Sequence, residues 1–175
     1  MIRLTFTIFV FFNIVSCHAG SDMKDIKEKI SVSFLIYNYS NIAIENVSIN
    51  SQGSSSANAA TKIGSVGSSG IVCCIDIPTS KSVKVKYSVF DNGSLKEKSI
   101  DVLTENSQEK NNSYAVFHFL PNNSGVLEFA MRPPSPRKDL LLKAINKQEI
   151  EVNFENGSMW NSKTENEMAH QEFPD

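Results

Sequence analysis

The stretch of sequence that decides the fold is SVKVKYSVFDNGSLKEKSIDVL, residues 82–103. Its first half alternates apolar residues with serine and lysine, and the apolar members are Val83, Val85, Tyr87 and Val89. Successive side chains of a strand point to opposite faces, so this alternation predicts a strand with one buried face. Asn92-Gly93 follows, and this dipeptide is the strongest short signal for a hairpin turn. The stretch therefore predicts two antiparallel strands joined by a tight turn.

Similar β-type runs recur along the chain. They lie at residues 30–39, 42–49, 71–77, 82–90, 94–103, 114–120 and 125–131. PNNS at 121–124 predicts a second hairpin, and YSN at 39–41 predicts a third. The Ser- and Gly-rich residues 50–69 predict a long loop or a pair of loops. The apolar phase slips between Ile44 and Val47, which indicates a bulge or a short turn. Such a pattern is typical of a β-sandwich or a small barrel. We expect a mainly β fold, an antiparallel β-sandwich of about seven strands.

The sheet pattern stops at RPPSP, residues 132–136. SPRKDLLLKAINK, residues 135–147, then predicts one short C-terminal helix, with Ser135 as the N-cap and Pro136 in the first turn. The apolar stripe of this helix is formed by Leu140, Leu141, Ala144 and Ile145. Residues 149–154 have the pattern of a last strand, and the final residues are mostly polar.

The first sixteen residues have the features of a secretory signal. An apolar run of 12 residues, Leu4–Val15, is too short to span a bilayer, which needs about 20 residues. The IVSC that ends at Cys17 resembles the bacterial lipobox, in which the cysteine is diacylated on sulfur and becomes the new N-terminus. We expect residues 1–16 to be removed and Cys17 to carry the lipid, with fatty acyl groups such as palmitate. The alternative is an ordinary signal peptide cleaved after residue 19 or 20, with no lipid.

The domain organisation follows from these features. Residues 17–29 form the lipidated cysteine and a polar tether, 30–131 the β-sandwich domain, and 132–175 an extension with the helix and a polar tail. A lipidated chain would be held at the cell envelope, and His18 replaces the aspartate that signals retention in the inner membrane. We therefore expect an outer-membrane lipoprotein that faces the periplasm.

Composition also excludes one class of partner. The chain has 175 residues, is 41% hydrophobic and 21% charged, and has a net charge of −2. These values are typical of a globular protein, and no basic field is present to attract nucleic acid.

Two of the three cysteines, Cys73 and Cys74, are adjacent in the run GIVCCIDI. Three states are open. The pair forms a vicinal disulfide that interrupts the strand, or both thiols stay reduced on opposite faces, or the pair acts as a redox dithiol. An oxidising periplasm would favour disulfide formation.

No catalytic pattern is evident in the sequence. The histidines His18, His118 and His170 are far apart, and only His118 lies in a predicted strand, where we expect it to be tucked against the fold. No serine lies in a G-x-S-x-G elbow, and no grouping of His, Cys and carboxylates has the spacing of a metal site. The loop GSVGSSG has no lysine of the kind that binds phosphate. We expect no enzyme activity, no cofactor and no metal.

Several of these segments together resemble a known family. They are YNYS at 37–40, the loop from Gly64 to Gly70, VCC at 72–74 with Pro78 after it, and HFLP at 118–121. The chain is similar over roughly residues 31–131 to an uncharacterised bacterial lipoprotein family, domain of unknown function 3304. Its loop has serine where that family is richer in glycine, and residues 132–175 do not align with it.

The resemblance implies a function that the residues alone do not. Members of that family are often encoded beside type VI secretion effectors, including phospholipases. It implies an immunity protein that binds and neutralises such an effector, its protein partner, in the periplasm, while the lipid holds it to the membrane. The partner-binding residues are unknown from sequence. The alternative is a structural or envelope-assembly lipoprotein.

Overall fold

A computed structural model describes residues 28–107, 111–145 and 160 of the chain. Within this part the structure has nine strands and one helix. The strands are β1 (Lys29–Asn38), β2 (Ile44–Ile49), β3 (Gln52–Ala57), β4 (Gly67–Ser68), β5 (Val72–Pro78), β6 (Ser82–Asp91), β7 (Ser94–Glu105), β8 (Tyr114–Phe119) and β9 (Gly125–Ala130), and the helix is α1 (Lys138–Ala144).

The strands form one mixed sheet in the order β3-β2-β6-β7-β9-β8-β1-β4, and β5 also pairs with β1. Its two ends meet, because the Asp76 N–H of β5 donates to the Gln52 side-chain oxygen of β3 at 3.0 Å. Close packing at the same place leaves little room at Gly53, where a Cβ would lie 2.9 Å from Ile75. The sheet is therefore nearly closed into a barrel.

The expectation of a mainly β fold with one short helix is confirmed, but the antiparallel sandwich of about seven strands is wrong. Two pairings, β1 with β8 and β7 with β9, are parallel. Parallel neighbours need long crossover connections, whereas a hairpin joins only antiparallel ones. Local turn signals therefore identified the hairpins but carried no information about these distant pairings.

The β6–β7 hairpin has the predicted form. Its strands pair from Ser82↔Leu103 to Asp91↔Ser94, and the turn residues Asn92 and Gly93 have φ of 51° and 78°. Positive φ at both positions is what a two-residue I′ turn requires. The predicted buried face is confirmed, since Val83, Val85, Tyr87 and Val89 are all buried.

The predictions for residues 39–69 are only partly confirmed. The pairing of β2 with β3 shifts between Ile44 and Val47, as the slipped phase predicted, and its pairing with β6 shifts between Glu45 and Ser48. Asn46, within both intervals, has φ of 50°. The YSN hairpin is wrong, because β1 and β2 do not pair. The long loop at 50–69 is wrong in part, since it contains β3 and β4. These strands carry few apolar residues because they lie at sheet ends, so their hydropathy resembles that of a loop.

The interior of the barrel is the main hydrophobic core. It receives alternate side chains from β8, so Ala115, Phe117 and Phe119 are buried there among the aliphatic residues of β1, β2 and β6. The opposite face of β8 carries Val116 and His118, outside this core cluster but still buried.

A second cluster covers that opposite face where α1 packs against the sheet. Its buried members are Tyr39, Leu120, Leu140, Leu141 and Trp160, and Ala144 and Ile145 pack against it. The predicted apolar stripe is thus confirmed as the packing face of the helix.

The helix is shorter than the predicted 135–147. Arg137, not Ser135, occupies the N-cap position, with an extended backbone and no side-chain cap bond. Pro136 precedes the helix instead of starting it. The predicted strand at 149–154 and the signal, lipid site and most of the tether lie outside the described residues. No helix within the described ranges is long and apolar enough to cross a membrane.

Candidate functional site

Polar chemistry is concentrated between the sheet and α1, in a chain of four buried residues. Tyr39 follows β1, His118 lies on β8, Glu128 on β9 and Arg137 directly before α1. Each is 3% exposed or less. The Tyr39 hydroxyl lies 2.8 Å from His118 Nδ1, and His118 Nε2 lies 3.0 Å from Glu128 Oε2. We call these four residues the polar clamp.

The hydrogen bonds of the polar clamp assign its protons. The Arg137 backbone N–H donates to the Tyr39 hydroxyl oxygen at 2.9 Å. The hydroxyl hydrogen is then available to His118 Nδ1, which acts as the acceptor. In a neutral imidazole the other nitrogen carries the hydrogen. His118 therefore donates from Nε2 to the Glu128 carboxylate, and every polar hydrogen along this path has an acceptor.

Arg137 balances the buried carboxylate. Its Nη1 contacts Glu128 Oε2 at 3.5 Å and Glu105 Oε2 at 2.7 Å. Asp139 accepts two further bonds, from Nε at 2.8 Å and from Nη2 at 2.6 Å. Three carboxylates thus surround one guanidinium, and paired, fully bonded charges are the form in which buried ions are tolerated.

The same contacts shift the acid–base properties of the site. Burial alone would raise the pKa of Glu128, but the hydrogen bonds from His118 and Arg137 and the charge of the Arg137 guanidinium outweigh it and lower that pKa. The pKa of Asp139 is also lowered, because Arg137 outweighs its burial. Burial raises the pKa of Tyr39 well above its usual value. The Tyr39 hydroxyl is therefore held neutral.

A hydroxyl, an imidazole and a carboxylate in series have the order of a nucleophilic triad. In the polar clamp, however, the hydroxyl oxygen already accepts from Arg137 and lies in the interior. Its proton is held by a raised pKa. This geometry suits a clamp that fixes α1 to the sheet.

A small pocket lies next to the polar clamp. Its volume is about 320 Å³, and it is lined by Tyr39, Asn41, Ala60, Lys62, Ile63 and Pro121. The lining is mainly apolar apart from the lysine and the asparagine. Tyr39 belongs to both the pocket lining and the polar clamp, so a change in the polar clamp that moves Tyr39 would also change the shape of the pocket.

The site residues named from sequence are not brought together. Cys17 lies outside the described residues. Cys73 and Cys74 are exposed on β5, and the structure places their sulfur atoms in bonding contact. Which of the three states the pair adopts in the mature protein stays a prediction. Among the described residues no group of three His, Cys, Asp or Glu side chains could hold a metal ion.

Sequence reasoning placed His118 correctly as a tucked strand histidine but missed its partners. Glu128 is the only charged residue in GVLEFAM, and a lone charge in an apolar strand is a signal for a buried ion pair. Arg137 has no comparable signal, because it follows a Pro-rich segment and lies beside Lys138.

A second candidate site is exposed at the tip of the β6–β7 hairpin. Phe90 and Leu95 are directly opposite each other next to the turn and are 73% and 44% exposed. Beyond them, β7 pairs with β9 only at Leu103–Glu105. The outer edge of β7 over residues 94–102 therefore has no neighbouring strand among the described residues.

No protein-family model, no curated protein and no solved structure matches the chain. Membership of the family called domain of unknown function 3304 accordingly stays a prediction.

Proposed function

We propose that this protein is a periplasm-facing lipoprotein that binds and neutralises a secreted toxin. It acts as an immunity protein, and its partner is a type VI secretion effector such as a phospholipase. The lipobox-like residues ending at Cys17 and the family resemblance support the location and the class of partner. A protein held at the membrane by its lipid is positioned to meet a toxin that attacks that membrane.

The observation that carries the binding function is the exposed hairpin tip. A phenylalanine and a leucine lie side by side at the surface, Phe90 and Leu95, and neither belongs to a hydrophobic core cluster of the described residues. Exposed large apolar groups next to one another mark interaction surfaces more often than scattered ones do. Buried aromatic anchors also provide much of the energy of protein–protein binding.

Neutralisation by such a surface needs no chemistry at the site. A binder inhibits an enzyme when it occludes the active site or the membrane-binding face of that enzyme. It needs only a rigid presentation of the surface, and the full pairing of β6 with β7 holds the hairpin in one geometry. Preorganised surfaces bind more tightly because less conformational freedom is lost.

Co-purification with the product of the adjacent effector gene tests this function. Wild-type lipoprotein should retain the effector, and deletion of its gene should make cells sensitive to that effector. The double variant Phe90→Ser, Leu95→Ser should weaken the complex at least about tenfold, as expected for loss of a hot spot. Leu103→Ser is the matched control, because Leu103 is 68% exposed on the same strand but far from the tip.

Two results would end the proposal together: no complex with the effector, and no change in sensitivity on deletion. An envelope-assembly lipoprotein would instead co-purify with envelope complexes in cells that have no effector. Its deletion would disturb secretion or envelope integrity and leave toxin sensitivity unchanged.

A further inference from the structure

We infer that the free edge of β7, residues 94–102, receives an extended strand from a protein partner. The partner's strand carries a carboxylate that lies beside Lys98. Three residues away, and on the opposite face of the sheet, it carries an apolar side chain that lies beside Leu95. The choice of partner rests on the proposed function, and the mode of recognition deepens it. Such strand addition obtains affinity from main-chain hydrogen bonds and specificity from alternate side chains.

The edge is long, and no strand of the described part of the chain covers it. β6 pairs with β7 along the whole of residues 94–103, whereas β9 begins its pairing only at Leu103. Residues 94–99 and Asp101 are exposed. A strand with one satisfied side and one open side presents a row of unpaired N–H and C=O groups, which is a template for another strand.

The turn determines which of these groups are open. A two-residue turn closes on a hydrogen-bonded pair, here Asp91 and Ser94. In an antiparallel ladder, hydrogen-bonded and non-hydrogen-bonded pairs alternate. The backbone groups that point away from β6 therefore belong to Leu95, Glu97, Ser99 and Asp101. These open groups occur at every second residue, which is the spacing of the hydrogen-bonding groups along one edge of an incoming strand.

A second copy of this chain does not fit the edge well. In a dimer joined through two β7 edges, a two-fold axis would place side chains of the same face opposite each other. The three alignments with the most paired residues have the axis at Glu97, Lys98 or Ser99. The first two place like residues opposite each other, Glu97 against Glu97 or Lys98 against Lys98. The third places Glu97 opposite Asp101. Like charges directly opposite destabilise a sheet, so charge favours a different partner.

The side chains along the edge specify the partner's chemistry. Lys96 Nζ is paired with Asp91 at 2.6 Å, and Glu97 is paired with Lys86 at 3.4 Å. Asp101 lies opposite Lys84 on β6. Lys98 lies opposite Tyr87, and no carboxylate among the described residues pairs with it. Among the described residues, Lys98 is therefore the charged side chain of this edge that has no opposite charge bonded to it or facing it on β6, and it lies near the exposed apolar pair Phe90–Leu95.

The test uses the full-length lipoprotein and two fluorescent peptides. Both are nine-residue strands of alternating threonine and valine with one leucine. One carries glutamate three residues from the leucine, and the other carries lysine there. Fluorescence anisotropy should show binding of the glutamate peptide and at least about tenfold weaker binding of the lysine peptide. Lys98→Glu should reverse this preference.

The matched backbone test uses Ser99. Ser99→Pro removes an outward N–H that β6 does not use, and proline is tolerated at strand edges. It should weaken peptide binding about fivefold to tenfold, the effect of one lost hydrogen bond. Ser99→Ala keeps the N–H and should change binding less than about twofold. Thermal melting checks that the proline variant is folded, and Lys98→Glu replaces it if it is not.

The outcomes separate this inference from the proposed function. No peptide binding, equal effects of Ser99→Pro and Ser99→Ala, or a dimer joined through β7 would overturn the edge inference. An effector complex that is insensitive to both edge variants would overturn it and leave the immunity function intact. Peptide binding with the expected pattern, but no effector complex and no change in toxin sensitivity on deletion, would support the edge and end the immunity proposal.

Discussion

The Tyr39 hydroxyl accepts the backbone N–H of Arg137 at 2.9 Å, although the two residues are 98 positions apart in the chain. The same hydroxyl lies 2.8 Å from His118 Nδ1. One oxygen atom thus joins the chain after β1, the C-terminal end of β8 and the start of α1. Removal of that atom would affect all three elements at once.

Tyr39→Phe is expected to destabilise the protein by about 1–3 kcal/mol. The substitution keeps the ring but leaves the Arg137 N–H and His118 Nδ1 without their partner in the interior, and unsatisfied buried groups carry this cost. Urea denaturation of both proteins measures the difference in the free energy of unfolding. Tyr114→Phe, on the partly exposed start of β8, is the control and should change it by less than about 0.5 kcal/mol. Equal stability of Tyr39→Phe and wild type would show that the clamp does not hold the fold.

Two substitutions at Glu128 separate its charge from its hydrogen bond. Glu128→Leu removes both and leaves His118 and Arg137 facing an apolar group, so we expect a loss of about 3–5 kcal/mol. Glu128→Gln keeps an oxygen that can accept from His118 Nε2 and should cost less. Chemical denaturation gives both values. Glu97→Gln breaks an exposed pair and should cost at most about 1 kcal/mol. A Gln variant as unstable as the Leu variant would mean that the charge, and not the hydrogen bond, dominates.

Acid should weaken the fold through the same carboxylates. The pKa values of Glu128 and Asp139 are lowered in the folded state from ordinary values of 4.5 and 3.8. A lowered folded-state pKa contributes stability that is present above the ordinary value and is lost as pH falls through the folded value. The free energy of unfolding should therefore fall as the pH drops below about 4.5. In Glu128→Gln this fall should be shallower, and an identical pH profile would contradict the assignment.

Cys17→Ser should release the protein from the membrane. The substitution removes the sulfur that would carry the diacylglycerol, so a soluble or unprocessed form is expected. Labelled fatty acid and cell fractionation compare it with the wild type, and Cys73→Ser serves as the control that keeps the label. Wild-type protein that takes up no label and appears in the soluble periplasm would show that the chain is secreted without an anchor.

The adjacent cysteines should contribute little to stability even if they are oxidised. A cross-link between neighbours closes the smallest possible loop, and the chain-entropy model assigns it only about 1 kcal/mol. Mass spectrometry after alkylation distinguishes the states. A reduced pair is labelled directly, because both residues are exposed. An oxidised pair has no free thiol and is labelled only after reduction. A loss above about 3 kcal/mol in Cys73→Ala, Cys74→Ala would contradict this expectation.

Features that depend on nearby residues were predictable. The β6–β7 and β8–β9 hairpins follow from Asn92-Gly93 and from PNNS, because turn geometry is determined within a few residues. The slipped phase of β2 follows from the spacing of Ile44 and Val47. The alternation in β8 placed His118 on the face opposite the aromatic core. Each of these is a property of a single strand or turn.

The sequence by itself determined the strand-rich class, two hairpins and the apolar face of α1, because side-chain periodicity and turn chemistry act over short distances. Only the tertiary structure decided the parallel pairs, the meeting of β3 with β5 and the pairing of Glu128 with Arg137. A strand pattern specifies which face is buried but not which strand lies beside it. The partner of a buried charge depends in turn on the order of the strands, because the packing of all the surrounding elements determines which side chains come close to that charge.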